Sequence, residues 1–240
     1  MNLNFDNNFE ENTIYLIGGG SGNIRHLTLE AFSILSQADT IFYDMYMDQM
    51  KNDFPNAEWI FVGKKKGEHL IKQSEINELL LKNFKDNKKT VRLKGGDPAF
   101  FARSSEEIEY LKENGAQVKM IMGISSPQLL AETLICSLTH RTKTRSISFW
   151  SGYWDKEISP NATPNTDAHF IFMGLGQAKE ILQKILDSGR DPKTVCIFAT
   201  HLGHLESSIW KTTISEAMLS IEDKKLSSPT LLVVGLEHID

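Results

Sequence analysis

Apolar positions along the chain follow two rhythms. Short β-rich runs at 13–17, 40–43, 59–62, 90–93 and 117–122 alternate with longer stretches around 28–37, 74–86 and 104–114, where apolar residues recur at helical spacing. After residue 122 the grammar restarts with a helical segment at 126–135, then strand-like runs at 146–150, 169–173, 195–200, 209–213 and 231–235. This alternation predicts an α/β protein, with sheets and helical crossovers, rather than a bundle or a sandwich. Ser74, with Asn77 and Glu78 ahead of an apolar run, marks a helix start, and Asn114-Gly115 marks the end of the next helix. The halves share no residue-level repeat. The pattern divides the chain into an N-terminal α/β domain at 13–122 and a C-terminal α/β domain at 123–240. The Asn-rich residues 1–12 are expected to form a disordered extension. The stretch 153–167, rich in Pro, Asn, Asp and Thr and without periodicity, is expected to be an irregular loop.

Composition removes several classes of function. At 240 residues the chain buries enough surface to fold without disulfide or metal staples. Its 26 Lys and Arg against 31 Asp and Glu leave a net charge of −5, the opposite balance to that of a dedicated nucleic-acid binder. No run approaches the ~20 apolar residues of a membrane span, and the first residues lack the basic-then-apolar layout of a secretory leader. A cytoplasmic protein is the expectation. Cys136 and Cys196 lie far apart in apolar stretches, without CxxC spacing or a neighbouring His pair, so neither a metal site nor a disulfide is expected.

Two glycine-rich turns change the picture. The first strand runs into Gly18-Gly19-Gly20-Ser21-Gly22-Asn23, where backbone N–H groups are accessible and no Cβ intervenes. Its spacing is not that of a dinucleotide fingerprint, so a plain tight turn and a ligand loop both remain open. The strand at 90–93 runs into Lys94-Gly95-Gly96-Asp97-Pro98, with Phe100, Phe101 and Arg103 following. A sharp turn with an acidic tip at the carboxyl end of a buried strand is where open α/β sheets bind ligands. Basic residues gather nearby: Lys64, Lys65, Lys66, Arg92, Lys94, Arg103, Arg141, Lys143 and Arg145. A cleft lined with one sign of charge attracts a polyanion, and Arg forks suit carboxylates. Lys65 and Lys66 read as a solvated turn, and His140, with no paired nucleophile, as structural.

In their order these segments resemble the tetrapyrrole (corrin/porphyrin) methylases, in the branch of uroporphyrinogen-III C-methyltransferases. The resemblance rests on the turn at 18–23, Ala38-Asp39, Tyr43-Asp44, Val62-Gly63-Lys64, residues 92–98 with Phe101 and Arg103, Glu106-Glu107, residues 138–141, residues 172–175 and Ser228-Pro229. It implies two α/β domains with the active cleft between them, a homodimer, and S-adenosylmethionine bound in a bent shape, leaving S-adenosylhomocysteine as product. Implied cofactor-binding residues are Ser21, Gly95, Gly96, Asp97, Phe100, Ser125, Ser126, Met173, Leu202, Gly203 and Thr230. Asp44, Lys64 and Arg103 are the implied catalytic residues. Glu106, Arg141 and Met173 are the implied substrate-binding ones. The implied reaction is C-methylation of uroporphyrinogen III to precorrin-2, on the way to sirohaem or cobalamin. Asp44 is the more natural proton acceptor, because a guanidinium is a poor base.

The chain departs from the pattern in places. Ser21 and Asn23 stand where the family has Pro and Asp, residues 122–126 read Met-Gly-Ile-Ser-Ser instead of Pro-Gly-Ile-Thr-Ala, and Ser104-Ser105 replaces Gly-Gly. These departures keep two alternatives in view: the same fold acting on a later corrin intermediate or a peptide nitrogen, and a non-catalytic paralogue that binds S-adenosylmethionine or a tetrapyrrole.

Overall fold

The computed structural model of the protein describes residues 8–63, 71–153 and 163–239. Two compact units divide between Ser125 and Ser126.

The first unit contains β1 (Thr13–Gly18), α1 (Leu29–Leu35), β2 (Thr40–Tyr43), β3 (Glu58–Phe61), α2 (Gln73–Lys85), β4 (Thr90–Lys94), α3 (Ser104–Glu113) and β5 (Gln117–Ile121). Its five strands form a parallel sheet in the order β3-β2-β4-β1-β5. Side chains alternate between the two faces. Tyr15, Ile17, Ile41, Tyr43, Val91 and Leu93 pack with Ala31, Ile34 and Leu35 of α1. Ile14, Leu16 and Phe42 pack with Ile76, Leu80 and Leu81 of α2 and Leu111 of α3. A parallel strand covered on both faces calls for a continuous apolar run, and β1 supplies one. β4, the central strand, does not: its even positions, facing α2 and α3, include Arg92 and Lys94.

The second unit contains α4 (Ser126–Leu134), β6 (Ile147–Ser151), β7 (Ala168–Phe172), α5 (Ala178–Asp187), β8 (Val195–Thr200), β9 (Ser208–Thr213), α6 (Ile214–Ser220) and β10 (Thr230–Val234). Its sheet has the order β6-β7-β10-β8-β9 and is antiparallel except between β6 and β7. Helices α5 and α6 cover one face, packing Ile181, Leu182, Ile185, Ile214 and Ala217 on Ile171, Phe198, Leu232 and Val234.

Every strand lies within one residue of its expected position. Three expectations need correction. Residues 9–12 do not form a disordered extension: the Phe9 ring meets Tyr15 edge-on at 4.7 Å, the Phe9 N–H donates to Gln37 Oε1 at 3.0 Å, and Glu10 pairs with Lys119. The unit boundary falls three residues later than 122, because Gly123 is locked against the ends of β1 and β4. Helices α5 and α6 occupy stretches where the sequence reading named none. Most of the loop expected at 153–167 lies outside the described residues.

Candidate functional site

In the first unit β1 and β4 are neighbours, yet the helices that follow them lie on opposite faces of the sheet, α1 on one and α3 on the other. Such a reversal opens a crevice at the carboxyl ends of the two strands, the customary ligand position in an open α/β sheet. Both glycine turns lie there and bond to each other: Gly96 N–H donates to Gly20 O at 2.7 Å and Gly20 N–H returns a bond to Gly96 O at 3.2 Å. A third backbone closes in from the end of β5. A Cβ on Gly123 would lie 2.3 Å from Gly96 O and 2.7 Å from Gly18 Cα, so only glycine fits. Gly96 itself has a left-handed backbone, φ +74°. Asp97 braces this junction. Its Oδ1 accepts from Ala99 N–H at 2.7 Å and its Oδ2 from Gly123 N–H at 3.3 Å. Ser125 is buried beside Gly96, whereas Gly95 is exposed, and a Cβ there would meet only the Met47 methyl at 3.9 Å. Ser21 is buried, and its Oγ lies 2.8 Å from His26 Nδ1. Asn23 Oδ1 accepts from Arg25 N–H and caps the short turn Ile24–His26.

Behind the turns lies a chain of buried charges. Arg92 Nη2 donates to Asp44 Oδ1 at 2.6 Å, and Arg92 Nε to Glu107 Oε1 at 3.1 Å. Lys94 Nζ donates to the other Glu107 oxygen at 2.6 Å, and Gln73 Nε2 to Glu107 Oε1 at 3.1 Å. Arg92 Nη1 points to the carbonyls of Phe42 and Leu93. Arg92, Lys94 and Glu107 are almost wholly buried, and only the Asp44 side chain, 30% exposed, reaches solvent. Burial works against the Arg92 charge, but Asp44 and Glu107 outweigh it and hold the guanidinium above its usual range. Burial, and then the neighbouring Arg92, lower the Lys94 ammonium. The placement of Arg92 and Lys94 among cations lining an open cleft is therefore corrected: both are paired inside the layer between sheet and helices.

Arg103 remains at the surface. It stands at the start of α3 with φ +55° and grips Glu106 with two bonds, Nε to Oε1 at 2.7 Å and Nη2 to Oε2 at 2.6 Å. That pairing raises the Arg103 guanidinium and lowers the Glu106 carboxyl. Phe100 is half-buried and Phe101, also at positive φ, is 39% exposed. Lys64 lies outside the described residues.

In the second unit Met173, Leu202, Gly203 and Thr230 come together at one end of the sheet. β10 runs antiparallel to β7 and β8, so its first residue, Thr230, sits where those two strands finish. Thr230 Oγ1 and Thr200 Oγ1 are 3.0 Å apart, and His201 N–H donates to Pro229 O. Met173 and His201 both have left-handed backbone, a strained state that collects at functional sites. Arg141 is not with them. Its turn, closed by bonds between His140 and Thr144, is tied by a 5.1 Å ring contact and a Thr144 bond to His238, beyond the far end of β10. Within this unit, Arg141 and Met173 therefore stand at different places. His140 Nδ1 accepts from the N–H groups of Thr142 and Lys143, the structural part expected of it. Ser126 opens α4 and is half-buried.

Gln73 and the His26 contact are absent from the sequence expectations, as is the pairing of Glu107. Glu107 carried a signal: an acidic residue on the apolar side of α3, in helical register with Leu111. Among the described residues no cluster of His, Cys, Asp and Glu could hold a metal ion, and no helix is long and apolar enough to cross a membrane.

Comparison with known proteins adds the following. The family profile for Tetrapyrrole (Corrin/Porphyrin) Methylases matches residues 13–218. A siroheme synthase of Psychrobacter cryohalolentis is 32% identical over 229 residues, which cover 92% of this chain and 44% of that protein. The chain thus spans about half the length of the first curated relatives it matches. A uroporphyrinogen-III C-methyltransferase of Bacillus subtilis is 33% identical over 233 residues, 92% of this chain and 89% of that one. Among solved structures, the uroporphyrin-III C-methyl transferase of Thermus thermophilus, complexed with S-adenosyl homocysteine, aligns with a TM-score of 0.77 at 28% identity, covering 93% and 92% of the two chains.

Proposed function

The chain belongs to the tetrapyrrole (corrin/porphyrin) methylases, and from that premise we propose that it is an S-adenosylmethionine-dependent C-methyltransferase acting on uroporphyrinogen III to give precorrin-2. The observation that carries this reading is its likeness to the Bacillus subtilis enzyme along nearly the full length of both chains.

The residues at the crevice fit the donor. Gly95 and Gly96 present backbone without side chains, and beside them lies the buried hydroxyl of Ser125. Bound S-adenosylmethionine supplies a methyl group on a positively charged sulfur, open to attack by an electron-rich ring carbon. We assign donor binding to Ser21, Gly95, Gly96, Phe100, Ser125 and Ser126, and in the second unit to Met173, Leu202, Gly203 and Thr230. Asp97 serves that binding by holding the turn in shape. Arg103 takes a substrate carboxylate by exchanging it for Glu106, and Lys64 takes a second. Asp44 offers Oδ2 to the proton that the methylated ring gives up, while Arg92 occupies Oδ1. Most of the rate enhancement comes from positioning, since holding the reactants in contact removes much of the entropic barrier. The homodimer and the cytoplasmic location stay part of the proposal, and light scattering checks the dimer.

The test is incubation with methyl-labelled S-adenosylmethionine and freshly reduced uroporphyrinogen III. Label in a dimethylated tetrapyrrole is the expected result. Donor binding without label in the ring would move the proposal to another acceptor.

A further inference from the structure

Asp44 is the solvent-reaching end of the buried chain that runs through Arg92 and Glu107 to Lys94, and the proposed function uses only that end. Arg92 makes bonds to Asp44, Glu107, Phe42 O and Leu93 O, so its fork has little freedom to move. Glu107 in turn is held through Oε1 by Gln73 and through Oε2 by Lys94. Two cations face two carboxylates, and the set is neutral while Asp44 is ionised. The turn after β2 brings Met45, Tyr46 and Met47 beside Asp44, none of them charged, and Asp48 is exposed. Among the described residues, Arg92, Glu107 and Lys94 are linked to Asp44 through hydrogen bonds, and the Arg103–Glu106 pair beyond them is coupled to Glu107 and Lys94.

We propose that Glu107 is a positioning residue for Asp44, acting through Arg92, and that the balance between Glu107 and Lys94 sets how strongly the Asp44 carboxylate accepts a proton. The inference rests on the reading of Asp44 as proton acceptor. Geometrically, Glu107 fixes the Arg92 fork, which fixes Asp44 Oδ1 in a side chain that stays 30% exposed. Electrostatically, Glu107 offsets one of two cations that would otherwise weaken Asp44 as a base. Lys94 acts with the opposite sign.

The balance gives opposite expectations for two substitutions. Glu107→Gln leaves two cations against Asp44 alone, and the acid limb of kcat moves down by about one pH unit. Lys94→Met removes a cation without orphaning another, because Glu107 keeps Arg92 and Gln73, and the limb moves up by about as much. The double variant restores the balance and returns the limb toward the wild-type position. Asp44→Asn loses turnover by at least about 100-fold. The readout is S-adenosylhomocysteine release from labelled donor and reduced uroporphyrinogen III across pH, with the donor KM followed as a check on folding. Should Glu107→Gln fail to fold, Lys94→Met and the double variant carry the test. Limbs that stay in place, or move the same way in both single variants while Asp44→Asn is inactive, overturn the inference and leave the role of Asp44 standing. An Asp44→Asn protein with wild-type turnover overturns that role, and this inference with it.

Discussion

The two sheets have central strands of equal length and opposite character. β10, in the middle of the second unit, reads Thr-Leu-Leu-Val-Val and is buried throughout among apolar neighbours. β4, in the middle of the first, reads Thr-Val-Arg-Leu-Lys and is buried to the same degree. Its two cations take the even positions at the layer that Ile14, Leu16 and Phe42 otherwise fill. Buried ion pairs rarely improve on apolar packing, because desolvation consumes the Coulombic gain. Among the described residues, charges in the core of one unit and not the other therefore point to chemistry at the end of β4 rather than to stability. They also show why the acidic partner lies on a helix: a carboxylate can meet cations on the α2/α3 face of β4 only from the layer that covers it.

The contrast can be pressed hardest at Glu107. Glu107→Ala leaves Arg92 and Lys94 short of a buried counter-charge and is expected to cost about 3–5 kcal/mol in urea unfolding. Replacing Arg92, Lys94 and Glu107 together with Met, Met and Leu should hold the stability or raise it, while turnover collapses. A triple variant that still turns over normally would dissolve the distinction between the strands. On the other side, Leu232→Ala in β10 is expected to lose about 2–5 kcal/mol through the cavity it opens, with kcat per folded molecule unchanged. The interior of the second unit does hold a buried histidine. His169, buried on β7, lies with its Nδ1 2.9 Å from Ser148 Oγ and its Nε2 3.3 Å from Arg190 Nη2. Burial, and then Arg190, push its pKa from 6.5 down to about 4. The unfolded chain thus takes up that proton first as pH falls. This contribution is flat above the unfolded value and destabilising from there toward pH 4, by up to about 3 kcal/mol. Urea unfolding at pH 7 and pH 4.5 measures it, and His169→Gln should flatten the slope. The smallest effect is expected at Gly96→Ala, about 1–2 kcal/mol for a side chain forced into left-handed backbone. Weaker donor binding by calorimetry should accompany it, and unaltered binding would detach that turn from the donor.

Strands were legible in the sequence because β-rich runs bounded by Gly, Asn and Pro leave little choice of conformation. Helix α5 has its own signal, apolar residues at 178, 181, 182 and 185, but it lies between stronger strand signals. The turns at 18–23 and 94–98 stood out because clustered glycines after an apolar strand mark a tight turn with accessible backbone. The fate of Arg92 and Lys94 was not legible. A charge in a strand shows its side of the sheet only through parity, and its partners were 48 residues upstream in Asp44 and 13 to 15 downstream in Glu107. The position of Arg141 was not legible for the reverse reason. It follows Leu138-Thr139-His140 in a recognisable motif, but the position of its turn depends on His238, almost a hundred residues later.

The exposed Arg103–Glu106 pair and the enclosed group around Arg92 respond differently to ionic strength. Counter-ions within a Debye length of about 8–10 Å weaken the first, and they reach the second only through the partly exposed Asp44. Added salt should therefore loosen the grip on an acidic substrate, raising its KM, while moving the acid limb of kcat much less. Potassium chloride alone would then separate capture from proton transfer in the unmodified protein.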